Sequence, residues 1–266
     1  MIQILENLKT IREEVWKELN IEYIYSPFPD DRIKGVILDT RVIDIDLYKN
    51  LSVISRVGVG IDNIDLEKCR ERNIKVFTTP CDELIDAVAE FTIFQIIKFL
   101  REYTSPRKNL SDLQVGIIGV GRIGWHVNFI LTEGFLVSTF IYDINKRGYF
   151  GRRFTDKGKL LRESDIICVH VSGNREVINK EDIAVMKSNA IVVNMARAGC
   201  INAEGISSAL IANKLGGYIS DVDDHHRFII RNVLCTPHIA SDTYGARRAM
   251  ENLAVKNLIK GLKGDL

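Results

Sequence analysis

No apolar run in this 266-residue chain approaches the roughly 20 residues that a membrane-spanning helix requires. The longest candidate, Phe91 to Leu100, is interrupted by Gln95 and Lys98. An excess of charge of one sign is also missing: 36 Lys and Arg face 35 Asp and Glu, a formal net charge of +1. That balance supplies no field for nucleic acid or for an anionic membrane, so neither is expected as a partner. The five cysteines, Cys69, Cys81, Cys168, Cys200 and Cys235, are odd in number, widely spaced and contain no Cys-x-x-Cys pair. A disulfide framework and a zinc site are thereby disfavoured, no metal is expected, and a reducing cytoplasm is the default compartment. Charged residues close to Met1 argue against a signal peptide. Internal repeats and low-complexity segments are lacking too.

What is present is a glycine turn in the required setting. Gln114 to Ile118 reads as a strand, Gly119-x-Gly121-x-x-Gly124 follows it, and Ile123 to Glu133 reads as a helix. The pattern is the fingerprint of a dinucleotide-binding βαβ unit. Gly119 permits the tight turn, Gly121 lets backbone approach a pyrophosphate, and Gly124 lets the helix pack on the strand. The phosphates would sit on the helix N-terminus, where unpaired N–H groups and the dipole favour anions. Leu136 to Tyr142 reads as the next strand, and Asp143 ends it at about the 20-residue spacing expected of a ribose-binding acid.

The remaining pattern is α/β throughout. An amphipathic stretch from Leu5 to Leu19 precedes short strand signals at 21–25, 35–38 and 52–57, a small α/β layer in its own right. Leu84 to Leu100 is apolar almost all round and reads as a buried helix, broken by polar Glu102 to Asp112. Further strands are expected at 166–169, 190–193, 217–220 and 233–235, each after a crossover as a parallel sheet demands, with a last helix over 244–262. The expected architecture is α/β with parallel sheets, a small first layer followed by a second block that begins near Asp82.

Chemistry gathers at the strand ends, where an open α/β sheet places its ligands. One strand ends in Asn194-Met-Ala-Arg197-Ala-Gly199, another in Asp221-Val222, and the last in Thr236-Pro237-His238. With Arg56-Val-Gly-Val-Gly-Ile-Asp-Asn-Ile-Asp65, and Val88-Ala-Glu90 opening the buried helix, this order closely resembles the D-isomer-specific 2-hydroxyacid dehydrogenases from about Gly35 onward. The resemblance implies two Rossmann-like, doubly wound parallel-sheet domains, residues 83–240 binding NAD and residues 1–82 with 241–266 making a reduced, discontinuous substrate domain, with NAD(H) as cofactor and a small 2-oxo or 2-hydroxy acid as substrate. It implies that Arg197 clamps the 2-oxo acid with its planar fork of donors and that His238 is the acid/base, a task suited to an imidazole. It implies further that the backbone of Val57, Gly58, Val59 and Gly60 holds the substrate carboxylate. Gly119, Gly121, Arg122, Ile123, Gly124, Asp143, His170, Val171, Ala196 and Asp221 then fall among the cofactor contacts, Asp221 at the nicotinamide end. A carboxylate at Asp143 would repel the extra phosphate of NADP and so favours NAD, a preference that Lys146 and Arg147 soften.

Four departures from the family pattern stand out. The glutamate expected about five residues beyond Asp221 is replaced by His226, in Asp221-Val-Asp-Asp-His225-His226, and Asp223 or Asp224 is an alternative carboxylate. Without a carboxylate beside His238 the pH optimum is expected to fall. Ser172 replaces the proline of the family's His-x-Pro loop, so His170 reads as structural rather than catalytic. The 102–112 connection is shorter than the family's dimer arm, so a homodimer is implied by kinship more than by this segment. Asp39, where phosphoglycerate-type members carry basic residues, argues against a substrate phosphate, although Arg41 is close by. Glyoxylate, hydroxypyruvate, pyruvate and bulkier 2-oxo acids all remain open. The competing class is a non-catalytic, NAD(H)-sensing binding protein of the corepressor type on the same fold.

Overall fold

The computed structural model describes residues 1–4, 22–25, 28–145, 154–222 and 232–264. The expected Leu5–Leu19 helix, Lys146, Arg147, Asp223, Asp224, His225 and His226 lie outside the described residues. The chain divides into two compact units, Met1–Leu84 with Asp242–Leu266, and Ile85–Ser241. The sequence reading placed these breaks after residues 82 and 240.

The first unit is a five-stranded parallel sheet in the order β2-β1-β3-β4-β5. Its strands are β1 (Ile2–Ile4), β2 (Tyr23–Tyr25), β3 (Gly35–Leu38), β4 (Val53–Arg56) and β5 (Lys75–Phe77). Two of these, β1 and β5, had no clear sequence signal, because three-residue strands are shorter than one period of any reliable pattern. Ile33, Val36, Leu38, Ile43, Ile45, Tyr48, Leu51 and Ile54 form one buried layer of this unit. The Tyr244–Lys263 helix returns from the far end of the sequence to this sheet, and the Ser55 hydroxyl donates to its Ala254 carbonyl at 2.8 Å.

The second unit is a six-stranded parallel sheet in the order β11-β10-β9-β8-β6-β7. Its strands are β6 (Gln114–Ile118), β7 (Ser138–Tyr142), β8 (Ile166–Val169), β9 (Ile191–Asn194), β10 (Gly217–Ser220) and β11 (Val233–Cys235). All four residues of β8, β9 and β10 are buried, as expected for strands covered by crossovers on both faces. A parallel bridge joins Ile141 of β7 to Phe154. The strand order reverses between β6 and β8, which makes the ends of those two strands the topological switch point where doubly wound sheets bind ligands.

Two helices correct the sequence reading in detail. The buried helix runs Asp82–Glu102, so Val88-Ala-Glu90 lies two turns inside it rather than at its start. Asp86, Glu90 and Phe94 form an exposed stripe at four-residue spacing. The helix after the glycine turn is α-helical over Arg122–Phe129 and then widens to a π-helical turn over Ile130–Gly134. Among the described residues no helix is long and apolar enough to cross a membrane.

Candidate active site

The glycine turn has the geometry that its residue types demand. Gly119 has φ +89°, a left-handed conformation, and a Cβ there would lie 2.7 Å from the Val171 nitrogen. At Gly124 a Cβ would lie 2.0 Å from the Gly119 carbonyl oxygen, so only glycine lets the helix sit on the turn. At Gly121 a Cβ would meet nothing within 4 Å. Two glycines are therefore needed by the protein itself, whereas the third faces open space at the helix start, as a phosphate cradle requires. The helix starts at Arg122 with Gly121 as its N-cap, and the first-turn N–H groups of a helix have no intrahelical acceptors, which favours an anion at that end. The residues present thus fit the pyrophosphate of a dinucleotide.

Asp143 follows β7 and is turned onto the glycine turn: its Oδ2 accepts the Val120 N–H at 2.8 Å and its Oδ1 the Asn145 N–H at 2.8 Å. Each oxygen keeps a second lone pair for a ribose hydroxyl. From the neighbouring strand, the His170 N–H donates to the Ile118 carbonyl at 2.8 Å, which brings Val171 against Gly119. The His170 ring is buried, and neither ring nitrogen has a hydrogen-bond partner. Burial pushes its pKa down to about 4, so the ring is neutral.

Arg197 and His238 stand after β9 and β11, strands of the same sheet that both flank β10. Arg197 is placed by the buried Asn194, whose Nδ2 donates to the Arg197 carbonyl at 2.9 Å and whose Oδ1 accepts the Ala196 N–H at 3.1 Å. The Arg197 guanidinium is half-buried and donates to the Ala196 carbonyl at 2.7 Å. His238 is exposed and has φ +55°, an uncommon conformation for a residue with a Cβ. Such a backbone persists only where the surroundings enforce it. Here Asp221 enforces it. Its carboxylate, 2% exposed, accepts the Thr236 hydroxyl at 2.6 Å and the N–H groups of Ile239 and Ala240 at 2.9 and 2.8 Å. In this arrangement the Asp221 carboxylate is turned to the loop that follows β11, a bracing role that the sequence reading did not see.

In the first unit, two of the four expected carboxylate-binding amides have partners already. The Val57 N–H donates to the Leu38 carbonyl at 2.8 Å and the Gly58 N–H to Thr79 Oγ1 at 2.6 Å. Val59 is 45% exposed and Gly60 partly so, which narrows the candidate amides to this pair. Besides missing Asp221 as a brace, sequence reasoning quoted Asn194 and Thr236 in their strand-end motifs without giving them a role, and it missed Thr79, whose signal was a polar residue two positions beyond a short strand.

Comparison with known proteins gives a consistent result. The family described as D-isomer specific 2-hydroxyacid dehydrogenase, NAD binding domain, matches residues 94–240. A glyoxylate reductase from Thermofilum pendens is 34% identical over 289 residues, covering 96% of this chain and 83% of that protein. A hydroxypyruvate reductase from Thermotoga maritima is 31% identical, covering 82% of this chain and 80% of that protein. Among solved structures, a 2-hydroxyacid dehydrogenase from Ketogulonicigenium vulgare Y25 superposes with TM-score 0.83 at 26% identity, covering 99% of this chain and 95% of that one.

Proposed function

The chain belongs to the D-isomer-specific 2-hydroxyacid dehydrogenases, and from that premise we propose that it reduces a small 2-oxo acid to the D-2-hydroxy acid with NADH. The observation that carries the reading is that Arg197 and His238 stand at the ends of two strands flanking β10, each held by a buried polar brace. When bound, the reduced nicotinamide supplies the hydride that reduces the 2-oxo carbon. Arg197 engages the substrate carboxylate and carbonyl oxygen, and its permanent charge favours the negative charge that grows on that oxygen. His238 gives the oxygen a proton as the charge develops. The amides of Val59 and Gly60 receive the substrate carboxylate. Gly121 and the helix start at Arg122 hold the pyrophosphate, with Ile123, His170, Val171 and Ala196 around the cofactor, and Asp143 takes the ribose and favours NAD over NADP. His226, Asp223 and Asp224 are the candidates to orient His238. A homodimer is proposed by kinship, to be checked by sedimentation.

The test is a panel of NADH and NADPH oxidation with glyoxylate, hydroxypyruvate, pyruvate and a bulkier 2-oxo acid. Turnover with NADH is expected for at least one of them. His238→Ala is expected to lower kcat by about 10²–10⁴, and Arg197→Ala to raise KM steeply. Tight NADH binding with no turnover of any of the four would overturn the reading in favour of an NAD(H)-sensing binding protein.

A further inference from the structure

Two loops at the carboxyl edge of the second sheet are zipped together by contacts to which the reaction above assigns no role. The loop after β8 begins on the glycine turn, where the His170 N–H is bonded to the Ile118 carbonyl and a Cβ on Gly119 would lie 2.7 Å from the Val171 nitrogen. From there Ser172, Gly173, Asn174, Arg175 and Glu176 are all exposed, so burial does not place this stretch. Directed bonds place it instead, and they reach the loop that carries Arg197. Asn174 Oδ1 accepts the Gly199 N–H at 3.0 Å, and the Cys200 thiol donates to the Gly173 carbonyl at 3.4 Å. The N–H groups of Val177 and Ile178 donate to the Cys200 carbonyl at 2.8 and 3.1 Å, Asn202 Nδ2 donates to Glu176 Oε2 at 2.8 Å, and a parallel bridge pairs Ile178 with Ile201. The Arg197 carbonyl is itself held by Asn194 Nδ2 and by the Cys200 N–H, at 2.9 and 3.0 Å.

Of these contacts, the Asn174–Gly199 bond lies on the exposed face of the turn, two residues beyond Arg197. It also accounts for the glycine. A Cβ at 199 would lie 2.5 Å from Asn174 Oδ1, and its three nearest neighbours would all be Asn174 side-chain atoms. The backbone of Gly199 is not left-handed, so what a side chain there would offend is Asn174. Resting on the reading that Arg197 engages the 2-oxo acid, we infer that Asn174 is a positioning residue: by accepting from Gly199 it ties the turn that carries Arg197 to the loop that leaves the glycine turn, so that the substrate's arginine and the cofactor's cradle keep one geometry. Because Gly199 is exposed, water replaces Asn174 as acceptor when the side chain is removed, and the fold loses little. What is lost is the tether, since a water molecule satisfies the N–H without holding it to the neighbouring loop. Small displacements of a substrate-positioning group are costly even when nothing unfolds.

Oxamate carries the carboxylate and carbonyl of a 2-oxo acid and is not reduced, so it reads the Arg197 pocket without turnover. It is titrated calorimetrically into the NADH-loaded protein, as wild-type, Asn174→Ala, Gly199→Ala and the double variant, with thermal melts and NADH oxidation followed in parallel. In Asn174→Ala oxamate binds about fivefold more weakly, the order expected for one hydrogen bond, while NADH affinity stays within about twofold and the melting temperature is nearly unchanged. The ratio kcat/KM falls in step, mainly through KM, and decides the matter where oxamate binds too weakly to titrate. Gly199→Ala pushes the Asn174 amide aside and gives the same loss. In the double variant the new methyl group meets no amide, so the two losses do not add. Additive losses, as from a methyl group that obstructs the pocket itself, overturn the inference. So does an oxamate affinity in Asn174→Ala within about twofold of wild-type, or an Asn174→Ala variant that fails to fold, since the bond would then be structural. Weakened oxamate binding with no turnover of any 2-oxo acid would sink the dehydrogenase reading alone, and turnover with unshifted oxamate affinity would sink this inference alone. A wild-type protein that neither binds oxamate nor turns over would sink both.

Discussion

Asp221 and His238 are bound into one unit although their side chains do different work: the Asp221 carboxylate holds Thr236, Ile239 and Ala240, and His238 sits inside that clasp with φ +55°. A buried acid at the end of β10 thus shapes the loop that presents the exposed imidazole. Asp221→Ala is expected to leave the buried Ala240 N–H and the part-buried Ile239 N–H without their acceptor, and the Thr236 hydroxyl with only its longer contact to the Ser220 carbonyl, at a cost of about 1–3 kcal/mol for a buried orphaned group. The loop then relaxes, kcat falls by at least about tenfold, and NADH affinity changes less. Denaturant unfolding together with steady-state kinetics checks both parts; kcat unchanged in a folded variant contradicts the bracing role.

Gly121 and Gly124 are expected to separate ligand binding from folding. A methyl group at 121 enters open space, so Gly121→Ala is expected to fold with its melting temperature nearly unchanged but to bind NADH about tenfold or more weakly, because the methyl would fill the space proposed for the pyrophosphate. A methyl group at 124 lands on the Gly119 carbonyl, and Gly124→Ala is expected to be destabilised even without cofactor. Thermal melts and NADH fluorescence titrations read the two effects independently.

His170 makes acid stability a test of its environment. Its pKa is held near 4 in the folded protein by burial, against an ordinary value of 6.5. Below about pH 6.5 the unfolded chain binds this proton while the folded chain does not, so stability falls with pH between about 6.5 and 4. From pH 7.5 to pH 5 this one group removes about 2 kcal/mol. In His170→Leu that part of the slope vanishes. Since neither ring nitrogen is hydrogen-bonded, the variant should lose little stability at pH 7.5. Equal acid slopes in the two proteins would show that His170 is not buried as a neutral ring.

Thiol labelling addresses the five cysteines. Cys69, Cys168, Cys200 and Cys235 are buried and Cys81 is partly exposed. Burial raises the Cys168 pKa to about 12, so no reactive thiolate forms there near neutrality. One thiol is therefore expected to react quickly with a maleimide under native conditions and five after denaturation. Mass spectrometry should locate the fast one at Cys81; rapid modification of Cys168 would contradict its burial.

Much of the fold was legible because the strand runs 35–38, 114–118, 166–169, 217–220 and 233–235 are short, apolar and bounded by turn residues, as strands covered on both faces must be. The glycine motif was legible for a different reason: left-handed backbone and close approach demand glycine whatever the rest of the chain does. The strands at 2–4 and 75–77 escaped because three residues carry no period. The π-helical turn at 130–134 escaped because its residues pattern like any helix.

Residue type and spacing marked Gly119 and Asp143, and the family resemblance marked Arg197 and His238, because both readings draw on local chemistry at the carboxyl edge of a parallel sheet. Pairing across the sheet was beyond such a reading. That Asp221 clasps the His238 loop, that Val57 and Gly58 have their amides occupied, and that Asp39 meets Arg247 more than two hundred residues away all follow from strand register and helix packing. A hydrogen bond needs a partner within about 3 Å, and only the folded chain brings residues so far apart in sequence that close.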